Sequence, residues 1–324
     1  MKSIVRILAS LTAMLLVVPL GLAQSYPSKP VHIVVPYPPG GPTDVLSRLF
    51  GQKLSERWSQ PVITDNRPGA EGIIGTEAVV KAPADGYTLL FTIDSTLSVN
   101  PSLYSKLSYD PMRDLAPITL VGWARSLIVV NGASGPKSLA ELIQFARANP
   151  GKANFGAGAT TVRVAGVLLG RRLGLDIVFV PYKGSAATLQ GLFSGDVTFL
   201  IVAKSTAEPF IRSGRFRALA TTSAQPIASL PGVPTVAEAA NLPGFDFSTW
   251  MGLFAPAGTP GDIVQRLNKD IAQLLAQPEM RDRLALIGLD AAAANSPAEF
   301  AAFIRKETEL WSRLLPQAGI QPVD

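Results

Sequence analysis

The chain has no cysteine and a single histidine, His32. The first absence rules out disulfides, a lipid-modified amino terminus and a thiol nucleophile; with one histidine it also excludes zinc sites of the usual nitrogen-and-sulfur kind. A Ser-His-Asp engine would have to use His32, which lies in an apolar, strand-like stretch and reads as a packed or partly exposed structural residue. Gly132-Ala133-Ser134-Gly135 lacks the spacing of a nucleophile elbow. Paired carboxylates for acid-base work are not legible either: Asp94, Asp110, Asp114 and Asp196 occur singly, where turns or exposed positions are expected. No basic run is interleaved with aromatics, so nucleic acid is not an expected partner. No metal site, cofactor or catalytic residue is expected.

Long apolar runs are also scarce. The first one, Ile7 to Leu20, follows Lys2 and Arg6 and precedes the small-residue boundary Gly21-Leu22-Ala23, the pattern of an export signal cleaved after Ala23. It falls short of the roughly 20 residues that span a bilayer. No later segment is a better candidate, so the mature chain is expected to begin at Gln24 and to be soluble outside the cytoplasm. Loss of Lys2 and Arg6 lowers the formal charge from +5 to +3. About 300 remaining residues bury a large core and usually divide into two domains.

What is present is an alternation of strand-like and helix-like segments, which argues for an α/β fold with mostly parallel sheets. The most informative stretch is Val31 to Trp58. His32-Ile33-Val34-Val35 is β-rich, and the prolines and glycines from Pro36 to Gly41 enforce a turn. Pro42 suits a first helical position, and Val45, Leu46, Leu49, Phe50, Leu54 and Trp58 then recur at helical spacing. This is either an ordinary strand-to-helix turn or a cradle for a carboxylate or phosphate, with free amides at the helix start and no side chain on Gly40 or Gly41 to obstruct approach. Asp44, at the third helical position, favours its own helix but repels an anion, and is expected to fix the turn by accepting backbone amides.

A second strand-turn-helix, Ile177 to Phe193, repeats the order apolar strand, Pro181-Tyr182, glycine turn, helix. Two lobes that each present such a turn to a shared cleft would explain the echo, since ligands of open α/β sheets bind beyond the carboxyl ends of strands. Tyr87 to Ile93 reads as a strand ending in the polar turn Asp94-Ser95-Thr96. Ile118 to Trp123 and Leu127 to Val130 read as strands passing between lobes, and Phe247 to Phe254 as the return. Helices are expected at Ser138 to Ala148, with a Ser138 and Glu141 capping box, and in the tail over Pro260 to Leu275, Pro278 to Ile287 and Pro297 to Leu315. In the last of these Glu307 is polar at an otherwise apolar phase. Gly156-Ala157-Gly158-Ala159-Thr160-Thr161 resembles the start of a dinucleotide fingerprint, but Thr161 stands where the third glycine belongs and Asp176 precedes its strand instead of ending it. The loop and the helix that follows still suit an anion, and Arg163 either adds a charge-assisted pair or is solvated.

Over essentially all of its mature length the chain resembles the Bug or TctC-like extracytoplasmic solute-binding proteins associated with tripartite tricarboxylate transporters. The matching motifs run in order. Near the start they are Tyr26-Pro27-Ser28-Lys29-Pro30, Pro36-Tyr37-Pro38-Pro39-Gly40-Gly41-Pro42-Thr43-Asp44 and Asn66-Arg67-Pro68-Gly69-Ala70. Then come Ala82 to Leu90, Asn100-Pro101-Ser102-Leu103-Tyr104, Val180-Pro181-Tyr182-Lys183-Gly184-Ser185, Leu230 to Thr235 and Ala255 to Pro260.

The resemblance implies a two-lobed periplasmic binding protein of the type II class, with a hinged cleft, that binds a small organic acid and hands it to membrane subunits of such a transporter. A monomer is expected. Lobe 1 would comprise residues 24–124 and 250–324, and lobe 2 residues 125–249. The implied ligand-binding residues are Tyr37, Pro38, Gly40, Gly41, Thr43, Asp44, Ser95 and Thr96 from one lobe. From the other they are Gly158, Ala159, Thr160, Thr161, Arg163, Tyr182, Lys183 and Val202. Two departures stand out: Arg163 replaces a common histidine, and Ile201-Val202 replaces a Phe-Asp strand end, which implies a less acidic distal pocket. A ligand-sensing component acting on a membrane signalling partner would share the same fold, and a periplasmic enzyme is the remaining alternative.

Overall fold

The computed structural model describes residues 26–157, 160–182, 185–227 and 229–323; the expected export signal lies outside them. In chain order the first elements are β1 (Val31–Val35), α1 (Pro42–Trp58), β2 (Val62–Asn66), α2 (Ile73–Val80), β3 (Thr88–Ile93), α3 (Asn100–Leu103), α4 (Pro111–Asp114), β4 (Leu115–Ala124) and β5 (Ser126–Asn131). Then come α5 (Leu139–Ala148), β6 (Ala153–Ala157), α6 (Thr160–Leu173), β7 (Ile177–Pro181), α7 (Ser185–Ser194), β8 (Phe199–Ala203), α8 (Lys204–Arg212), β9 (Phe216–Thr221) and α9 (Val236–Ala239). The last are β10 (Thr249–Pro256), α10 (Gly261–Leu275), α11 (Pro278–Leu286), β11 (Leu289–Ala291) and α12 (Pro297–Gln317).

The strands form two sheets, one per lobe. The first has the order β11-β4-β10-β3-β1-β2 and the second β7-β6-β8-β5-β9. β1 is parallel to β2 and β3, and β6 is parallel to β7 and β8, whereas β10 and β5 run antiparallel to their neighbours. The chain passes between the sheets through Arg125 alone, from β4 to β5, and returns between β9 and β10.

Each helix is set by a readable local cause. α1 starts with proline and buries Leu46, Phe50, Leu54 and Trp58 against β1 and β3, but Val45 is 41% exposed, because it falls just beyond the edge of the apolar stripe. Ser138 caps α5 through the Glu141 amide, whereas the Glu141 carboxylate turns to the Lys137 amide, so the expected box is only half formed. Complete capping boxes stand instead at Thr235 with Glu238 and at Ser296 with Glu299. Helix α12, about 30 Å long, serves two cores. Phe300 and Ile304 pack with Trp250 and Phe254, while Trp311, Leu314 and Leu315 join the core beneath α6, with Phe155 and Phe199 of the second sheet. Burial of such apolar side chains contributes about 1.5–3 kcal/mol each, so one helix clamps the two lobes together on one side.

Candidate functional site

The parallel strands of each sheet deliver their carboxyl ends to one region. β1 leads into the turn Pro36 to Gly41 and β3 into Asp94-Ser95-Thr96; across from them β6 leads into α6, β7 into Tyr182 and β8 into α8. The two sets meet. Thr161, in the first turn of α6, donates its hydroxyl to Asp94 Oδ2 at 3.0 Å, and both residues are buried. In open α/β proteins ligands bind beyond the carboxyl ends of strands, which is the region where these two sets of strand ends meet.

On the first-lobe side, Pro38, Pro39 and Gly40 are exposed and Gly41 is half-buried. Asp44 accepts the Gly40 amide at 2.9 Å and pairs with Arg48, also at 2.9 Å, so it fixes the turn as expected. Burial pushes its carboxyl up, but the Arg48 guanidinium and the Gly40 amide outweigh burial and hold it below the ordinary carboxylate range. Gly40 has φ +81, a left-handed conformation that glycine adopts without strain. A Cβ on Gly41 would touch only the Pro38 carbonyl oxygen, at 3.6 Å, so the space in front of this backbone is open. Thr43 is buried at the second position of α1.

Behind the turn sits a hydroxyl network. Tyr37 Oη lies 2.6 Å from Thr96 Oγ1, and Thr92 donates to the same oxygen at 2.9 Å. Burial pushes the Tyr37 phenol up to about 12, keeping it neutral at any ordinary pH. Ser95 and Thr96 are themselves buried in a π-helical turn, Ser95–Val99. Asp94 departs from expectation, for it is only 1% exposed. Burial, helped by the Glu307 charge, pushes its carboxyl up to about 7 against hydrogen bonds from Thr161 and the Ser95 amide.

One component escaped the sequence reading. Gly69, Ala70, Glu71 and Gly72 all have positive φ (138°, 46°, 51° and 87°), a left-handed turn that non-glycine residues adopt at a cost. It abuts the site: a Cβ on Gly72 would lie 3.0 Å from Thr96 Oγ1 and 3.2 Å from Tyr37 Oη. The Asn100 side chain also donates to the Glu71 carbonyl. Glycine spacing marks the two ends of this turn, but nothing marks Ala70 and Glu71.

On the second-lobe side Thr160 and Thr161 open α6, while Gly158, Ala159 and Lys183 lie outside the described residues. Arg163 is exposed, with its guanidinium 5.0 Å from the centre of the Phe179 ring. Tyr182 lies against Gly156 and Gly191, where either glycine's missing Cβ leaves room for its ring. Val202 is buried with Leu127 and Leu200. His32 is half-buried and 2.8 Å from Asp65 at the outer strand pair, consistent with a structural place. A groove of about 520 Å³ between α1 and α10, lined by Arg57, Arg266, Lys269 and Asp270 among others, shares no residue with the cleft.

Residues 46–320 match the family described as the tripartite tricarboxylate transporter family receptor, TctC. The chain belongs to the TctC family. This receptor is 36% identical over 300 residues to the protein BugT of Bordetella pertussis, covering 92% of this chain and 91% of BugT. Its fold is similar to that of Rpa4515 of R. palustris with adipate (TM-score 0.85, 34% identity, 92% of this chain and 100% of that one). It is also similar to MatC from Rhodopseudomonas palustris with bound malate (TM-score 0.78, 31% identity, 90% and 100%). The two-lobed TctC chain thus has the type II periplasmic binding protein architecture that its motifs imply.

Proposed function

We propose that this TctC-family protein is an exported, periplasmic receptor whose cleft closes on a small organic acid and delivers it to the membrane subunits of a tripartite tricarboxylate-type transporter. The observation that carries this reading is the exposed Pro38 to Gly40 turn at the amino end of a 17-residue helix, at the end of a strand parallel to the one whose end carries the Asp94–Thr161 contact with α6. Helix starts concentrate unpaired amides and the positive end of the dipole, which suits carboxylates. That similar proteins hold adipate and malate supports a dicarboxylate.

In this reading one carboxylate meets the Gly41 amide at the amino end of α1, with Tyr37, Pro38, Thr43, Ser95 and Thr96 shaping the first wall and Asp44 bracing the turn through the Gly40 amide. The second carboxylate meets the segment from Gly158 to Thr161, with Arg163 and Lys183 as cations within the same lobe and Tyr182 and Val202 as its apolar backing. Lobe 1 comprises residues 24–124 and 250–324 and lobe 2 residues 125–249, and the export signal is removed after Ala23. The protein acts as a carrier and performs no chemistry on the solute.

Native mass spectrometry of protein purified from the periplasm tests the reading. It predicts a retained small acid, or a mass increase matching one bound molecule when adipate or malate is added. No adduct with either acid, from a protein that melts cooperatively, would contradict it.

A further inference from the structure

Asp94 has no part in holding the solute in that scheme beyond its contact with Thr161, yet it is the most deeply buried acid at the meeting of the lobes. One oxygen accepts the Ser95 amide at 2.8 Å and the other the Thr161 hydroxyl at 3.0 Å. From α12 it faces Glu307 and from the first turn the neutral Tyr37, and no cation faces it among the described residues. An anion here must share the amino end of α6 with the solute's carboxylate. Like charges so close in a dry site cannot both be ionised cheaply.

We propose that Asp94 is a proton-linked positioning residue of the cleft, which takes up a proton together with an anionic solute and, in its neutral form, holds Thr161 and the first turn of α6 in place. The proposal rests on the reading that a carboxylate occupies the cleft. Burial already brings the carboxyl to about 7 without solute, and each solute charge raises it further, so proton and solute binding reinforce one another. Affinity is then highest at neutral and mildly acidic pH and falls as pH rises above about 7, by up to tenfold per pH unit for one linked proton.

The test is calorimetric titration with adipate between pH 6.5 and 8.5, where simple carboxylates are already ionised, in two buffers of different ionisation enthalpy. The parent is expected to take up a fraction of one proton at pH 7.5 and to weaken as pH rises. Asp94→Asn, a permanently neutral mimic, should take up none, show no fall and bind more tightly than the parent at pH 8.5. Glu307→Gln, which removes the facing charge, should move the fall to lower pH. A parent and Asp94→Asn that share one pH profile and one proton count would overturn the proposal while leaving the receptor reading intact. Failure of the parent to bind adipate or malate at any pH would instead remove that reading and the proposal with it.

Discussion

Thr161 Oγ1 reaches Asp94 Oδ2 at 3.0 Å, a buried hydrogen bond between residues 67 positions apart that joins the end of one lobe's strand to the start of the other lobe's helix. It brings the second-lobe helix start against the end of β3, the strand parallel to β1, whose own end carries the Pro38 to Gly41 turn proposed to seat the solute.

Gly41→Val should fold and yet lose solute. The position has an ordinary φ of −76°, and an added Cβ meets only one backbone oxygen, at 3.6 Å. The protein therefore accommodates the side chain while the solute does not. A melt within a few degrees of the parent, together with undetectable binding of adipate and malate by calorimetry, is the expected pair of results.

The left-handed turn should answer to glycine. Glu71 at φ 51° carries strain of roughly 1 kcal/mol that glycine lacks, so Glu71→Gly should raise the midpoint of urea unfolding. Gly72→Ala, at φ 87° and with its new Cβ 3.0 Å from Thr96 Oγ1, should lower it and disturb the Tyr37–Thr96 pair.

Arg163 is expected to exchange partners. Its exposed stacking on Phe179 is worth about 0.5–1 kcal/mol, whereas a charge-assisted bond to a carboxylate is worth about 1.5–3. The difference favours the solute, so Arg163→Ala should weaken adipate binding roughly 2- to 60-fold. An unchanged dissociation constant assigns it to the surface.

Stability without solute should depend on Asp94 with a definite sign. Because the carboxyl is raised from 3.8 to about 7 on folding, the folded state binds the extra proton. Its contribution is complete below the ordinary value, declines as pH rises from about 4 to 7, and is gone above that. Relative to Asp94→Asn, the parent should lose stability in urea melts between about pH 4 and 7 and level off above that.

The sequence was legible where local chemistry decides. Pro42 and the spacing of Leu46, Phe50, Leu54 and Trp58 place α1, and the prolines and glycines before it place the turn. β2 shows no strand signal because Val62-Ile63-Thr64-Asp65-Asn66 is half polar at a sheet edge, and α8 shows no clean helical one because Pro209 sits inside it. Asp94 reads as a turn residue for want of any local sign of burial; a contact with Thr161 across 67 positions leaves no periodic trace. The same holds for α12, whose far end belongs to the second lobe's core although its sequence shows only one continuous amphipathic pattern.

The most direct measurement is calorimetric titration of the parent with adipate, malate and the diamide of adipate. The account predicts saturable one-to-one binding of at least one of the acids and none of the diamide, since the Gly41 amide and the starts of α1 and α6 select for negative charge. Equal binding of the diamide, or no binding of either acid by the folded parent, would contradict it.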